Sequence, residues 1–480
     1  MTSIYGAVLV GRLFGTAGIR GRYLETITTD LAFSLGAAVS YKFKAKCMCL
    51  GGDGRLTTPL LKLLVASGAM YVGTDVIDIG LVPMPTLPWS IKKLKCDVGI
   101  YVTASHNPPT DNGFKVFNNY PMELSVNEEL EVEEIIRARS WNPVDWDRVG
   151  KYFREDIVHS YINEIIYRLS PSEIRFKPKV LIDTANGAAS QVTPQILKSL
   201  GANVYALNAN IDGRFPGRIP EPRPDVLEPF IPLARELGVD VFFAHDGDGD
   251  RLAVIDPRFG FIKQDRILAL IAYYKLLERR GTVIASIDCG NALKDVVEML
   301  GGKLVITKLG KTHEGIPKYS DAILAGEPWK LIDPSWGPWV DGVYQAALIV
   351  KLMIEEGVGI SKLMGKIPNY PQARYSILMD RDVREYVFEG LSDFIEHSIP
   401  KVFNKRVHEV LTIDGVRVNF EDKSWILIRK SGTEPKIRIY AESKNISELR
   451  DMINAVIAKA GELAKAKGAK SFEVEGSLLP

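Results

Sequence analysis

Apolar runs that end in small or turn-forming residues recur along the chain and lead into helical patterns. Runs of this length are typical of strands, and strands that alternate with helices are typical of βαβ units in α/β domains. We predict such units at three segments: DVGIYVTASHN from Asp97, PKVLIDTANGAAS from Pro178 and GTVIASIDCGNAL from Gly281. The likeness of the three segments hints at repeated domains.

Polar, proline-bearing stretches mark the predicted domain boundaries. The first is ARSWNPVDWDRVG, before a predicted helix over Tyr152–Leu169, and the others are DPRFGF (256–261) and KIPNYPQARYS (366–376). The segment after the third boundary combines helical patterns, the last of them closing the chain, with two strands. We therefore predict an α/β fold of three similar mixed-sheet domains plus a smaller C-terminal α+β domain, around a central cleft. The predicted bounds are 1–150, 151–257, 258–370 and 371–480.

Composition narrows the possible partners. The 480 residues carry 60 basic and 59 acidic side chains, so the formal net charge of +1 is not that of a nucleic-acid or membrane-surface protein. No apolar run reaches membrane-spanning length, and the N-terminus lacks the basic region of a signal peptide. We expect a cytoplasmic protein, a monomer or a homo-oligomer, that acts on a small molecule. The four cysteines have neither zinc-site nor C-x-x-C spacing: Cys47, Cys49, Cys96 and Cys289.

One serine stands at an unusual place, the end of an apolar strand. The run Val98–Val102 is followed by Ser105 and then at once by Asn107, Pro108 and Pro109. Because proline fixes its own backbone and cannot extend a strand, the chain must turn here. We predict that Ser105 lies on a stiff turn at the strand end.

A second motif, DGDGDR, places three aspartates two residues apart between two apolar strands. Carboxylates this close repel one another unless a cation lies among them, and oxygen ligands favour Mg²⁺ or Ca²⁺ over Zn²⁺. An EF-hand does not fit, because Arg251 and Pro257 occupy the positions of its glycine and glutamate. A phosphatase with an aspartyl nucleophile fits poorly, since it would need threonine near the aspartates, and a solvated acidic turn stays an alternative. The candidate ligands are Asp246, Asp248 and Asp250.

Three further loops carry arginines. WILIRKSGTEPKIRIYAES predicts two strands around a loop that could hold an anion, with Arg429 and Arg438 entering from the strands. A polar hairpin turn is the alternative. LFGTAGIRGRY places Arg20 among glycines and GGDGRLTTP places Arg55 in a turn, but neither has the spacing of a dinucleotide fingerprint or a P-loop.

Taken in order, these motifs resemble those of a known family. TASHNP with Asn112, Gly113 and Lys115, then DGDGDR, then GEP with Asp341 and Gly342 further on, then RKSGTEPKIR, are similar to the four signature loops of the α-D-phosphohexomutase superfamily. FGTAGIRG and DGRLTTP match its N-terminal elements, so the resemblance runs from about Phe14 to Glu442. Four loops in the same order make a chance match very improbable.

The resemblance implies an activity. Members interconvert hexose 1-phosphates and 6-phosphates, so mannose and glucose phosphates are the expected substrates and glucosamine phosphate is the alternative. Ser105 would carry a phosphoryl group, and Mg²⁺ would be held by one phosphate oxygen and the three aspartates. A hexose 1,6-bisphosphate would be both intermediate and primer. A metal-dependent sugar phosphatase and a sugar-phosphate-binding protein without turnover are the other possibilities.

The resemblance also assigns roles to individual residues. Arg20 and Lys115 would serve as acid, base or charge stabiliser, whereas His106 should point away from Ser105, because neighbours on an extended strand face opposite sides. His106 is therefore expected to support the catalytic group rather than to deprotonate Ser105. The residues implied to bind substrate are Arg251, Lys311, Glu327, Trp329, Arg429, Ser431, Gly432, Thr433 and Arg438.

The sugar loop departs from the family pattern. Members commonly have G-E-x-S-G followed by histidine or asparagine, whereas this chain has GEPWKLIDPSWGPW. Glu327 is retained, but Trp329 stands where serine is expected. Two interpretations stay open for the tryptophans of this loop: an indole that contacts the sugar face, or rings that pack the loop against a neighbouring domain.

Overall fold

The computed structural model describes residues 12–15, 18–431 and 435–479. The chain divides into two compact units. The first unit comprises the chain up to Gln264 together with Trp329–Gly365, and the second comprises Asp265–Pro328 and Lys366–Pro480.

The first unit begins with a six-stranded mixed sheet in the order β1-β5-β4-β2-β3-β6. The pairs β1/β5 and β4/β5 are antiparallel, and the others are parallel. Helices α1 and α2 of this domain pack closely against each other. A Cβ on Gly36 would lie 2.1 Å from the carbonyl oxygen of Val65, so only glycine allows the two helices to come this close. The elements are β1 (Ile19–Arg22), α1 (Thr29–Phe43), β2 (Cys47–Gly52), α2 (Thr58–Tyr71), β3 (Asp75–Leu81), α3 (Thr86–Leu94), β4 (Val98–Val102), β5 (Asp111–Asn118), α4 (Val126–Ala138) and β6 (Tyr152–Arg154).

A second mixed sheet completes most of the first unit, in the order β11-β10-β9-β7-β8. The strands β9 and β10 form an antiparallel hairpin, while β7 pairs in parallel with β8 and β9. Short 3₁₀ turns lie at Ala188–Gln191 and Glu228–Phe230. The elements are α5 (Val158–Leu169), β7 (Lys179–Asp183), α6 (Thr193–Ser199), β8 (Asn203–Leu207), α7 (Pro224–Leu227), α8 (Ile231–Glu236), β9 (Val241–His245), β10 (Leu252–Asp256) and β11 (Gly260–Phe261).

The second unit starts with parallel strands in the order β13-β12-β14. A 3₁₀ segment, Thr312–Lys318, precedes β14. The elements are α9 (Gln264–Glu278), β12 (Thr282–Ser286), α10 (Asn291–Met299), β13 (Lys303–Thr307) and β14 (Ala322–Glu327). The chain then returns to the first unit with β15 (Lys330–Ile332), α11 (Gly342–Glu356) and α12 (Ile360–Met364).

The rest of the second unit is an antiparallel sheet in the order β17-β18-β19-β20-β16-β21. Apolar side chains of α13 and α15 share one buried cluster with this sheet. The sequence predicted the closing helix but missed the strand after it. The elements are β16 (Gln372–Met379), α13 (Arg381–Asp393), a π-helical turn (Phe394–Ser398), α14 (Ile399–Val402), β17 (Val407–Leu411), β18 (Val416–Phe420), β19 (Trp425–Lys430), β20 (Lys436–Glu442), α15 (Ile446–Ala466) and β21 (Phe472–Leu479).

The three α/β domains repeat one strand order, as the sequence hinted, but one of the three strands predicted to be equivalent, β4, was the wrong one. The orders β3-β2-β4, β8-β7-β9 and β13-β12-β14 are the same, and all pairs in them are parallel. The strand equivalent to β7 and β12 is therefore β2 and not β4. The chain leaves β4 for the antiparallel strand β5 and not for a helix. An apolar run shows that a strand is buried on both faces, but not its place in the sheet.

The predicted helix over Tyr152–Leu169 was wrong in its first part. Tyr152–Arg154 forms the edge strand β6 beside β3, and the helix starts at Val158. The fold class, three α/β domains followed by an antiparallel α+β domain, is confirmed, while the domain bounds and the central cleft stay predictions. Of the helices in the described ranges, none has the length and apolar character needed to cross a bilayer.

Candidate active site

Ser105 lies just beyond the carboxyl end of β4, on a left-handed turn with φ of 51°. A left-handed conformation costs a non-glycine residue roughly 1–2 kcal/mol, so contacts around the turn must hold it. The amide of Ser105 donates to Thr103 Oγ1 at 2.7 Å, and its Oγ donates to Asp246 Oδ2 at 2.7 Å. The hydroxyl is therefore buried and aimed at the acidic loop.

The three aspartates lie in the turn of the β9/β10 hairpin, with side-chain oxygens within 4.8 Å of one another. All three are buried. Both carboxylate oxygens of Asp248, and Oδ1 of Asp250, accept no hydrogen bond from any described residue. Burial, and then repulsion from the neighbouring aspartates, raises the pKa of Asp246. Unsatisfied buried carboxylates are costly, and a divalent cation with oxygen ligands would satisfy them.

Two cations border this acidic turn. Lys115 Nζ lies 2.5 Å from Asp250 Oδ2 and 3.2 Å from Asp248 Oδ2. Although burial opposes ionisation, these carboxylates raise the pKa of Lys115, which stays charged. Arg251 Nε lies 4.0 Å from Asp246 Oδ2. The positive charges reduce repulsion within the triad and would also attract a phosphate.

The sheet order explains how Arg20 joins the group. Arg20 on β1 pairs with Gly113 on β5, and Lys115 on β5 pairs with Tyr101 on β4, the strand that leads to the Ser105 turn. Burial lowers the pKa of Arg20 despite the attraction of Asp248, and its Nε has no hydrogen-bond partner among the described residues. A buried guanidinium with an unused donor suits an anionic ligand.

The prediction that His106 points away from Ser105 was wrong. Its Nδ1 lies 3.4 Å from Ser105 Oγ. The argument assumed extended backbone, whereas the left-handed turn at Ser105 ends the alternation of side chains. The charge of Arg251, then burial and Arg20, lowers the pKa of His106, so the ring is neutral beside the serine.

The predicted sugar-loop residues are divided between the two units. In the second unit, Glu327 ends β14 and accepts a hydrogen bond from the amide of Gly310 at 2.7 Å, and Lys311 pairs with Glu314 at 3.1 Å. In the first unit, the Trp329 ring lies 5.4 Å from that of Phe261, centroid to centroid, against a buried apolar cluster. This contact favours the packing interpretation for Trp329.

The other two tryptophans of the sugar loop are buried. Trp336 stacks on Tyr344, with ring centroids 5.2 Å apart, and its Nε1 donates to Asp341 Oδ2 at 2.8 Å. Trp339 packs against Trp336 with a centroid distance of 5.9 Å. Both rings therefore pack within the first unit, at the start of α11.

The predicted phosphate loop lies between β19 and β20 of the second unit. Arg429 and Arg438 are direct partners across these strands, so both side chains project from the same face. Arg429 pairs with Asp414 at 2.9 Å, and the carbonyl of Ser431 accepts from Arg384 Nη1 at 3.0 Å. Like charges opposite each other repel, and a bound anion would relieve that repulsion. Gly432 and Thr433 lie outside the described residues.

Comparison with known proteins settles the family. Four models match in succession: the phosphoglucomutase/phosphomannomutase alpha/beta/alpha domains I (11–143), II (159–260) and III (263–370), and the C-terminal domain (392–459). The chain belongs to the phosphoglucomutase/phosphomannomutase family. Phosphomutases of this family are intramolecular phosphotransferases, which agrees with a buried serine beside a buried cluster of aspartates.

The curated relatives of this chain have names that refer to different sugars. A phosphopentomutase of Thermococcus kodakarensis is 41% identical over 95% of this chain and 100% of its own length. A phosphoglucomutase/phosphomannomutase of the same organism is 34% identical, with the same coverage of both chains. A probable phosphoglucosamine mutase of Methanosphaera stadtmanae is 35% identical over 92% of this chain and 97% of its own.

Solved structures agree with this fold. A phosphoglucomutase/phosphomannomutase family protein from Burkholderia thailandensis has a TM-score of 0.82 and 26% identity, covering 94% of this chain and 97% of that one. The open form of the Paramecium phosphoglucomutase parafusin has a TM-score of 0.78 at 18% identity, covering 97% of both chains. The latter similarity shows the fold alone.

Sequence reasoning did not assign a role to the residues beneath the serine turn. Asp53, Arg55 and Thr103 form a buried hydrogen-bonded group there. The only signal in the sequence was the DGR turn after β2, which is common in loops.

Proposed function

We propose that this protein is a Mg²⁺-dependent sugar-phosphate mutase whose nucleophile is Ser105. The observation that carries the proposal is the 2.7 Å contact between Ser105 Oγ and Asp246, within a buried aspartate triad that has unsatisfied oxygens. Hexose 1- and 6-phosphates of mannose or glucose are the leading substrates, and glucosamine phosphate is the alternative. Substrates of this kind fit the predicted cytoplasmic location.

The residues of the first unit would carry the transfer. Phosphorylated Ser105 gives its phosphoryl group to a free hydroxyl of the sugar monophosphate, and then takes the other phosphate back from the bisphosphate. Asp246, Asp248 and Asp250 would hold Mg²⁺, which when bound offsets the negative charge of the phosphoryl group. The fixed turn at Ser105 supplies position, the main requirement for a loose phosphoryl-transfer transition state.

The neighbouring cations would share the proton and charge work. Arg20 would stabilise charge on the phosphoryl oxygens, because its guanidinium remains a donor at every working pH. Lys115, held by Asp248 and Asp250, is charged and within reach of the same centre. His106 is neutral and 3.4 Å from Ser105 Oγ, so it could accept a hydrogen bond from the free hydroxyl.

The residues of the second unit would hold the rest of the substrate. We assign the non-reacting phosphate to Arg429, Arg438, Ser431 and the adjoining Gly432 and Thr433. Glu327 would accept hydrogen bonds from sugar hydroxyls, and Lys311 would lie near the sugar. The same phosphate seat would serve both orientations of the bisphosphate, which a mutase requires.

A phosphopentomutase is the second candidate function. The 41% identical relative of that name spans 95% of this chain. The sugar loop also has tryptophan where serine is expected, and that ring packs on Phe261. Loss of a serine hydroxyl removes one hydrogen bond to the sugar, which changes the preference between sugars.

Mass spectrometry of Ser105, combined with mutase assays, tests the function. Glucose, mannose, glucosamine and ribose 1-phosphates would be assayed with Mg²⁺ and the matching bisphosphate primer. We expect a phosphorylated Ser105 and a loss of about 10⁴-fold or more in kcat for Ser105→Ala. The control Ser125→Ala removes only the N-cap of α4 and should keep full activity.

Two results would contradict the proposal. Full turnover by Ser105→Ala would refute the nucleophile. Release of free phosphate in excess of isomerised sugar phosphate would instead indicate a phosphatase.

A further inference from the structure

We propose that Arg55 is a positioning residue that holds the Ser105 turn in its reactive conformation, an inference that rests on the proposed function of Ser105. Arg55 follows β2, fifty residues before the serine in the sequence, and its side chain is fully buried. It does not touch the aspartate triad, and neither the family resemblance nor the site described above gives it a role.

All five N–H groups of the Arg55 guanidinium are used within the protein. Nε donates to Asp53 Oδ2 at 3.1 Å. The other four donors serve carbonyl oxygens of the serine turn: Ser105 at 2.9 Å, Asn107 at 2.7 Å, Pro108 at 2.5 Å and Asp111 at 2.9 Å. A guanidinium has five donors in a fixed plane, so Arg55 has none left for a substrate phosphate.

The turn needs such a partner, because it makes few hydrogen bonds of its own. Pro108 and Pro109 have no N–H, and the backbone bonds within the turn are Asn107 N to Ala104 O and Asp111 N to Pro108 O, both 3.0 Å. The bond to the carbonyl of Ser105 is buried and those to the other three carbonyls are partly buried, and a buried carbonyl without a donor would be costly. The guanidinium of Arg55 therefore supplies the hydrogen bonds that a neighbouring strand would otherwise donate to these carbonyls.

Both peptide groups of Ser105 are tied to the same carboxylate. The carbonyl of Ser105 is bound by Arg55, which pairs with Asp53. The amide of Ser105 donates to Thr103 Oγ1, which donates to Asp53 Oδ2 at 2.7 Å. A left-handed serine persists only where its surroundings over-determine it, and here Asp53 fixes it from both sides.

Arg55 is itself held in place. The ring of Phe215 lies 5.0 Å from its guanidinium carbon, a distance that permits a cation–π contact. A Cβ on Gly213 would lie 2.6 Å from the Arg55 Cα and 2.4 Å from the Gly54 carbonyl oxygen. The segment that carries Gly213 and Phe215 therefore packs directly on the DGR turn and restricts the movement of Arg55.

The test compares Arg55→Lys with Arg417→Lys. Arg417 is a matched buried arginine of the second unit: it lies 3.9 Å from the Trp425 ring and donates to the carbonyls of Ile287 and Cys289. Lysine keeps the charge but cannot reach four carbonyls and a carboxylate. For Arg55→Lys we expect kcat to fall on the order of 10²-fold with KM within about 2-fold of wild type, since misplacement of a reacting group by about 1 Å has such an effect.

Two further readouts separate positioning from general destabilisation. The single-turnover rate of Ser105 phosphorylation by the bisphosphate should fall in parallel with kcat. Hydrogen exchange of the amides in 104–111 should accelerate in Arg55→Lys but not in Arg417→Lys. Equal acceleration in both variants, or a raised KM with unchanged kcat, would overturn the proposal.

Failure of the proposed function would look different. Wild-type protein without phosphate on Ser105 after incubation with every bisphosphate would refute the function, while the exchange measurement would still report whether Arg55 holds the turn. If Arg55→Lys does not fold, Phe215→Leu takes its place. Faster exchange over 104–111 with a lower kcat in that variant supports the proposal, and the absence of both changes overturns it.

Discussion

Buried carboxylates lie close together in both units, but the partners of Glu442 in the second unit differ from those of the aspartate triad in the first. In the first unit, Asp246, Asp248 and Asp250 leave three oxygens without a hydrogen bond from the described residues. In the second unit, Glu442 accepts hydrogen bonds from the amide and side chain of Asn291, from Trp425 Nε1 and from Gln372 Nε2. The chain therefore supplies donors to both oxygens of Glu442, whereas Asp265 Oδ1 beside it and three oxygens of the triad have no such partner among the described residues.

The difference separates the proposed cation site from a structural carboxylate. Both groups are buried and both bring carboxylates close together, since Gln372 Nε2 donates to Asp265 as well as to Glu442. Neither burial nor proximity separates them. The number of donors distinguishes Glu442 from the triad, because a carboxylate saturated by amide and indole N–H groups has no lone pair directed at a metal ion.

Among changes to the two carboxylate groups, the largest expected effect comes from Asp248→Asn in the triad. This change removes the charge of a carboxylate that accepts no hydrogen bond from the described residues and pairs only with Lys115, so we expect Mg²⁺-dependent activity to fall on the order of 10³-fold. Mg²⁺ at about 100 times its Kd should stabilise the wild type by about 2.7 kcal/mol and the variant by much less, as measured by thermal unfolding.

The comparison supplies its own control for this prediction. Glu442→Gln should bind Mg²⁺ as the wild type does, because its carboxylate is already saturated by protein donors. Equal stabilisation of wild type and Asp248→Asn by Mg²⁺ would contradict the assignment of the triad.

Removal of the saturated carboxylate should affect stability instead. Glu442→Ala leaves the backbone amide of Asn291 and the indole N–H of Trp425 without their acceptor and removes one of the two bonds of Gln372 Nε2, and each buried donor left unpaired costs about 1–3 kcal/mol. We expect the free energy of unfolding to fall by about 3 kcal/mol, with a smaller loss for Glu442→Gln, which keeps one acceptor oxygen. Urea unfolding followed by fluorescence measures both; a loss below about 1 kcal/mol for the alanine variant would speak against the saturated arrangement.

The pH dependence of stability should also distinguish Glu442. Burial, and then the nearby Asp265, raises the pKa of Glu442 from 4.5 to about 7, although Arg417 opposes this. The folded state therefore binds more protons than the unfolded state between these values. The contribution of Glu442 to stability should fall as the pH rises from about 4.5 to about 7, by at most about 1.4 kcal/mol per pH unit, and stay constant above.

The measurement is the difference in unfolding free energy between wild type and Glu442→Gln over that pH range. As the pH increases, the wild type should lose stability relative to Glu442→Gln. If the relative stability of the wild type stays constant or increases with pH, the pKa of Glu442 is not raised in the folded protein.

The smallest expected effect is that of Trp425→Phe. The change removes the Nε1 donor, which lies 3.2 Å from Glu442 Oε1, but keeps an aromatic ring beneath Arg417. Loss of one hydrogen bond to a carboxylate that keeps its other donors should cost about 1 kcal/mol in unfolding free energy. A thermal unfolding series with Glu442→Gln and the double variant would show coupling between the two positions, whereas strict additivity would argue against their contact.

Local motifs could be predicted where the chemistry lies within one short segment. The DGDGDR turn gave its three aspartates directly, because the hairpin that carries them is formed by adjacent strands. Long-range partners could not be predicted in this way. Arg55 and Ser105 are fifty residues apart, and only the parallel pairing of β2 with β4 brings the ends of those strands together.

The backbone conformation at Ser105 could not be predicted from the sequence either. The expectation for His106 failed because the left-handed φ of Ser105 is imposed by Arg55 and Thr103, and not by the preference of serine itself. The interpretation of Trp329 stayed open for another reason, because Phe261, on which its ring packs, lies far from it in the sequence.

The sequence by itself determined the fold class, the strand ends that carry polar loops, and the acidic turn, because these follow from hydrophobic pattern, proline and charge within a few residues. Only the tertiary structure decided the equivalence of β4 with β9 and β14, the contact of Ser105 with Asp246, and the five bonds of Arg55. The physical reason is that an apolar run specifies burial but not neighbours, whereas hydrogen bonds depend on distances that strand order alone sets.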